Sequence, residues 1–284
     1  MKKVLVTGAT GFIGNYVIEE LLKQKLSVIA TSSNIQKAKT YSWFDKVKYI
    51  ELDLKNFDDA TDYFQFFNAP DILIHLAWEG LPNYKSDFHL TENLPRHQSF
   101  LKNIIKNGLK DITITGTCFE YGMQEGELNE EMECSPSNAY AIAKNELRIF
   151  IESVRTEFLL NMKWVRLFYM FGKHQNPNSL TSQLDKAIEQ NAETFNMSGG
   201  EQIRDFLPVE TVADYIVAIS LQQKINGIIN CCSGQPITVK QFVIDYLAKI
   251  NKTIKLNLGY YQYNNFEPMN FWGNTEKLKK IITT

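Results

Sequence analysis

The sequence predicts an α/β protein, a doubly wound parallel sheet with helices on both faces and a smaller C-terminal lobe. Short β-branched runs alternate with longer helical stripes over the first 170 residues or so. The first of these runs ends in a glycine-rich turn that opens directly into a helix. A chain of 284 residues is long enough for one large domain of this kind with an appendage, and needs no disulfide or metal staple.

The elements follow in order. Lys3–Thr7 (KVLVT) is a short, buried, β-branched strand stopped by Gly8. Phe12, Ile13, Tyr16, Val17 and Leu21 form one apolar stripe of a helix over Phe12–Lys23. Ser27–Thr31 (SVIAT) is the second strand, residues 47–52 a short third and residues 71–76 (DILIHL) the fourth. A long helix over 90–106 precedes a fifth strand over 111–115, and a helix over Ala139–Phe158 precedes a sixth strand over 162–168. This alternation implies right-handed βαβ crossovers, with residues 1–170 forming the first domain. Residues 172–179 are rich in Asn, Pro and Lys, and they break the rhythm. A helix over 180–190 and strand-like pieces near Phe195 and Ile228 follow, so 171–284 is expected to be mostly a smaller lobe with some segments returning to the sheet.

The totals narrow the function. The formal net charge is −2 with no basic block, which gives no nucleic-acid surface. Cys118, Cys134, Cys231 and Cys232 lack metal-ligand spacing, so no metal is expected, and the adjacent pair reads as small core residues. No apolar run reaches the ~18 residues of a membrane span, and the N-terminus opens on a strand rather than a signal core. The expected compartment is the cytoplasm.

The turn T-G-A-T-G-F-I-G (residues 7–14) carries the first chemistry. Gly8 permits a tight turn, Gly11 lets backbone approach a pyrophosphate, and Gly14 allows close helix–strand packing. The helix start then offers unpaired N–H groups and partial positive charge to phosphates. In this context the turn predicts a nicotinamide dinucleotide site that includes Thr10, Phe12 and Ile13. An acid at the end of the second strand would bind the adenine ribose hydroxyl and repel a 2′-phosphate. Ser32 and Ser33 stand there instead, with Lys37 and Lys39 behind them, which favours NADP(H) over NAD(H).

The three-and-three glycine spacing resembles the extended short-chain dehydrogenase/reductase family, the group of nucleotide-sugar epimerases, dehydratases and reductases. The resemblance implies a Rossmann domain in which Asp53 and Leu54 contact the adenine, while Leu76, Ala77 and Trp78 lie along the cofactor; Trp78 reads equally as a sugar-pocket wall or as a core or rim residue. It also gives meaning to Tyr140 and Lys144. On a helix, i and i+4 share a face, so this Tyr-x-x-x-Lys brings phenol and ammonium to one site. An unperturbed tyrosine, with its pKa near ~10, is a poor acid–base catalyst at neutral pH, and a nearby cation favours its phenolate. By resemblance Lys144 also hydrogen-bonds the nicotinamide ribose, and Thr117 is the hydroxyl that holds the substrate carbonyl. Thr115, close before it, is expected to be structural. Family dehydratases carry Asp-Glu after that Thr. Cys118 and Phe119 stand in those positions here, which excludes dehydration chemistry.

On the substrate side, the resemblance places Glu79, Thr117, Cys118 and Phe119 at the sugar. It also places Arg204 of R-D-F-L-P-V (residues 204–209) on the diphosphate, where a guanidinium fork suits the oxygens. The alternative for Arg204 is a surface pair with Asp205. His75 reads as a packed core histidine, and Asn93 as support for the backbone near the site. The best fit is an NADP(H)-dependent reductase of the 4-keto group of a nucleotide-linked 6-deoxyhexulose, of the dTDP-4-dehydro-6-deoxyglucose type in deoxysugar synthesis. A 4-epimerase with tightly held NAD would use the same three residues, and a non-catalytic NADP-binding regulator would keep only the glycine turn. The helices over 90–106 and 139–158 are those by which relatives form homodimers.

Overall fold

The strand–helix series forms as expected in the computed structural model, which describes residues 2–263 and 267–283. β1 (Lys3–Thr7), α1 (Phe12–Lys23), β2 (Ser27–Thr31) and the single turn α2 (Ile35–Ala38) open the chain. β3 (Lys48–Tyr49), α3 (Tyr63–Phe66), β4 (Ile72–His75), α4 (Leu94–Lys106) and β5 (Asp111–Thr117) follow. The short β6 (Gly126–Leu128), the long α5 (Ala139–Phe158) and β7 (Asn161–Leu167) end this half. The rest comprises β8 (Tyr169–Phe171), α6 (Leu180–Glu189), β9 (Thr194–Asn196), β10 (Ile203–Pro208), α7 (Val209–Leu221) and β11 (Gly227–Cys231). β12 (Pro236–Thr238), α8 (Val239–Lys249), β13 (Lys255–Asn257), β14 (Phe271–Gly273) and α9 (Glu276–Ile282) complete it.

Seven parallel strands make the central sheet in the order β11-β7-β5-β4-β1-β2-β3. The strand order reverses between β1 and β4, and in such sheets ligands bind in the crevice at the carboxyl ends beside that switch point. Alternate side chains serve opposite faces. Val4, Val6, Ile72 and Ile74 pack with Val17 and Leu21 of α1 and Val212 and Ile216 of α7. Leu5, Leu73, Ile112 and Ile114 pack with Leu101 and Ile105 of α4 and Leu147 and Ile151 of α5.

The piece near Ile228 is β11, a strand of the central sheet in register with β7. Two details differ from the sequence reading. The third strand is shorter than expected, although Ile50 and Leu52 still donate to the backbone of Ala30 and Ser32. The helix over 90–106 begins as a wider turn over His89–Asn93 before α4. Pro95 cannot donate a helical bond to the Thr91 carbonyl, which is where the α ladder would otherwise continue. The second lobe is built on the small β12-β10-β8 sheet. Among the described residues, no helix is long and apolar enough to cross a membrane.

Candidate active site

The turn between β1 and α1 is shaped by its glycines. Gly8 has φ +69°, and a Cβ there would be 2.8 Å from the Ala77 nitrogen. A Cβ on Gly14 would overlap the Gly8 carbonyl, so the first turn of α1 packs directly on the loop. Gly11 is the N-cap of α1 and offers no side-chain cap. Donors at the helix start are thus left for a ligand.

Two cavities meet at this turn, and Gly8, Gly11 and Trp78 line both. The first, about 340 Å³, is lined by Thr10, Ser32, Ser33, Asp53, Leu54 and Ala77. Thr31 also lines it, and its buried hydroxyl has no hydrogen-bond partner. Lys37 is on the same wall, and no carboxylate ends β2. The second, about 370 Å³, is lined by Phe12, Ile13, Gly14, Leu76, Thr117 and the Tyr140–Lys144 pair. Cys118 and Phe119 also face the second cavity. A glycine cradle that a Cβ would fill, an unpartnered hydroxyl and two joined chambers fit a dinucleotide lying across the strand ends.

The turn after β5 fixes Thr117. Its hydroxyl accepts from Phe119 N at 3.3 Å, and its own N–H donates to Glu120 Oε1 at 2.9 Å, forming a capping box. Glu120 is fully buried and held by Trp164 and by Arg166 Nε at 2.8 Å. Glu120 therefore supports the site from below and does not line it.

α5 is capped by Asn138, whose side chain accepts from Ala141 N at 2.9 Å, and Tyr140 N donates to the Tyr84 carbonyl at 3.0 Å. Burial pushes the Tyr140 phenol well up, with Tyr84, Glu120 and Cys118 adding to the shift and a hydrogen bond with Thr117 opposing it. Lys144 Nζ donates to the Thr115 carbonyl at 2.9 Å. Burial pulls its ammonium down to about 7, against the pull of Glu120. The Thr115 hydroxyl donates to the His75 carbonyl at 3.4 Å, and Thr115 also lines the second cavity.

His75 is fully buried between Thr7 and His97, each at 2.8 Å, and burial holds its pKa at about 3. Asn93 Nδ2 donates to the Glu79 carbonyl at 2.9 Å and so ties down the loop after β4.

Two expected substrate residues are not brought to the second cavity. Glu79 lines the first one and pairs with Lys55 at 3.0 Å, because the loop after β4 bends toward the 53–55 turn. Arg204 lines neither cavity. Its guanidinium donates to the Ile203 and Met269 carbonyls at 2.8 and 2.9 Å and to Glu267 at 3.1 Å. Asp205 is not its partner; it accepts from Ser233 N and Gly234 N at 2.7 and 2.8 Å. Arg96 also lines the first cavity, and one buried guanidinium nitrogen there has no partner. The sequence reading missed it, because no motif surrounds this cation on its helix.

The fold and site together define a dinucleotide-binding α/β oxidoreductase-type enzyme. The model of the NAD dependent epimerase/dehydratase family matches residues 4–232, and the chain belongs to that family. It is similar to dTDP-6-deoxy-L-talose 4-dehydrogenase (NAD(+)) of Aggregatibacter actinomycetemcomitans, with 32% identity covering 95% of this chain and 98% of that one. The dTDP-4-dehydro-6-deoxyglucose reductase of Escherichia coli is 22% identical over 88% of this chain and 82% of its own length. Among solved structures, UDP-glucuronic acid 4-epimerase from Bacillus cereus, in complex with UDP-glucuronic acid and NAD, matches with a TM-score of 0.83. That match is 22% identical and covers 99% of this chain and 93% of the epimerase, so it bears on the fold.

Proposed function

We propose that the chain reduces the 4-keto group of a nucleotide-linked 6-deoxyhexulose, of the dTDP-4-dehydro-6-deoxyglucose type, with NADP(H). The observation that carries this reading is the convergence of Thr117, Tyr140 and Lys144 on the cavity that opens at the glycine turn. The glycine turn and the start of α1 hold the pyrophosphate, and Asp53 and Leu54 border the adenine. A bound reduced nicotinamide supplies the hydride. Thr117 donates to the substrate carbonyl oxygen and orients it, and Tyr140 gives the same oxygen its proton. The raised Tyr140 pKa keeps the phenol protonated at neutral pH, the form that a reduction needs. Lys144, when charged, stabilises the phenolate left behind.

The other walls favour a deoxysugar. Leu81, Pro82, Tyr84, Phe119, Tyr169 and Met170 surround the reactive groups, an apolar surface suited to a sugar methyl. Among the described residues no carboxylate lines this cavity, and burial keeps the Cys118 thiol neutral, so neither position after Thr117 supplies the acid or base of a dehydration. Ser32, Ser33 and Lys37 support a 2′-phosphate in the first cavity. The NAD(+) in the name of the talose relative supports NAD(H) as the alternative. Dimerisation through α4 and α5, where Ile149 is 46% exposed, and a cytoplasmic location complete the proposal.

The test is a spectroscopic titration. Reduced-nicotinamide absorbance should fall mole for mole with added dTDP-4-dehydro-6-deoxyglucose, with a higher kcat/KM for NADPH than for NADH. Unchanged absorbance with the 4-keto sugar, together with interconversion of 4-hydroxy sugar nucleotides with no net NADPH consumed, would replace the reductase with a 4-epimerase.

A further inference from the structure

The Lys144 ammonium has a neighbour with no role in the proposed chemistry. Nζ is 4.1 Å from the centroid of the Trp78 ring. The indole is itself fixed on several sides. It stacks on His97 with centroids 4.7 Å apart and 16° between planes, and its Nε1–H donates to His89 Nδ1 at 3.1 Å. With Nδ1 accepting, His89 carries its proton on Nε2 and donates to the Asn83 carbonyl at 3.1 Å. Trp78 also borders both cavities, at the point where they join.

We infer that Trp78 is a positioning residue, whose π face, together with the Thr115 carbonyl, holds the Lys144 ammonium at the junction of the two cavities. Lys144 is buried, and among the described residues no carboxylate forms a salt bridge with it. Burial therefore opposes its charge, and a ring quadrupole is the kind of partner that offsets this in a desolvated site. The other groups facing it do not replace that contact. Glu120, after β5, favours the charged form from a distance. His75 on β4, His89 before α4 and His97 on α4 have lowered pKa values and are neutral at pH 7, and Tyr140 on α5 is a neutral phenol. The structural claim stands without the proposed reaction; its effect on turnover rests on that reading.

Two variants test it, Trp78→Leu, which keeps apolar volume without a π face, and Trp78→Phe, which keeps a smaller ring. In the protein without added dinucleotide, NMR titration of ¹⁵N-labelled lysine should show the Lys144 midpoint falling by about one pH unit in Trp78→Leu. Trp78→Phe should recover at least half of that shift. With substrate, Trp78→Leu should lower kcat about tenfold, leave the sugar-nucleotide KM within about twofold, and move the pH limb of kcat the same way. An unmoved Lys144 midpoint in folded Trp78→Leu would overturn the inference, whatever sugar the enzyme uses. A moved midpoint with an unchanged kcat pH profile would overturn the positioning role.

Discussion

Tyr140 and Lys144 are one helical turn apart on α5, and burial acts on them with opposite consequences for charge. It raises the phenol and lowers the ammonium, so both neutral forms are favoured before a dinucleotide binds. In the proposed reduction Tyr140 starts as the acid and ends as the phenolate, and Lys144 matters most at that end point. Replacing Tyr140 with Phe should lower kcat by about 10²–10⁴ while the dinucleotide Kd stays close to that of the unchanged protein. A variant that keeps more than about a tenth of the rate contradicts the assignment of Tyr140 as the acid. This part of the site was legible because its spacing is local, four residues along one helix and a hydroxyl at one strand end. Glu79 and Arg204 were not, since their partners Lys55 and Glu267 come from distant turns whose approach no local pattern encodes. Arg96 was equally hidden, because a single cation on a helix has no signature.

In the proposed function, the β1–turn–α1 unit is the element on which cofactor binding depends. The bounds of β1, α1, β2 and α5 agree with the sequence reading because each has a strong period and a clear stop, Gly8 after β1 being the plainest. The elements after residue 170 were less legible. β8, β10 and β12 are short and form a small sheet of their own, and β11 is defined by its register with β7 more than by its own residues. Gly14→Ala tests the unit directly. Its Cβ would overlap the Gly8 carbonyl, so it should cost about 1–3 kcal/mol in urea unfolding. By displacing the turn it should also weaken dinucleotide binding by at least about tenfold, the loss of roughly one hydrogen bond to a charged group. Unchanged affinity in that variant would place the pyrophosphate elsewhere.

In the whole molecule the two lobes share one set of strand ends. Asp205 on β10 accepts from Ser233 N and Gly234 N after β11 and from Gly273 N on β14, fastening the small sheet to the central one. Tyr169 and Met170, carried on β8 of that small sheet, therefore face Thr117 and Tyr140 across a fixed gap. In the proposed reaction, a sugar carbon held by the second lobe would meet a nicotinamide held by the first across this gap. The most direct measurement is isotopic. The protein is given 4-deuterated NADPH, labelled on the transferred face, and a dTDP-4-keto-6-deoxy sugar, and the product is read by NMR. Deuterium at C4 of the product, one per NADPH oxidised, is the result expected. An unlabelled C4 in the product, or deuterated NADPH left unoxidised in the presence of the 4-keto sugar, would contradict it.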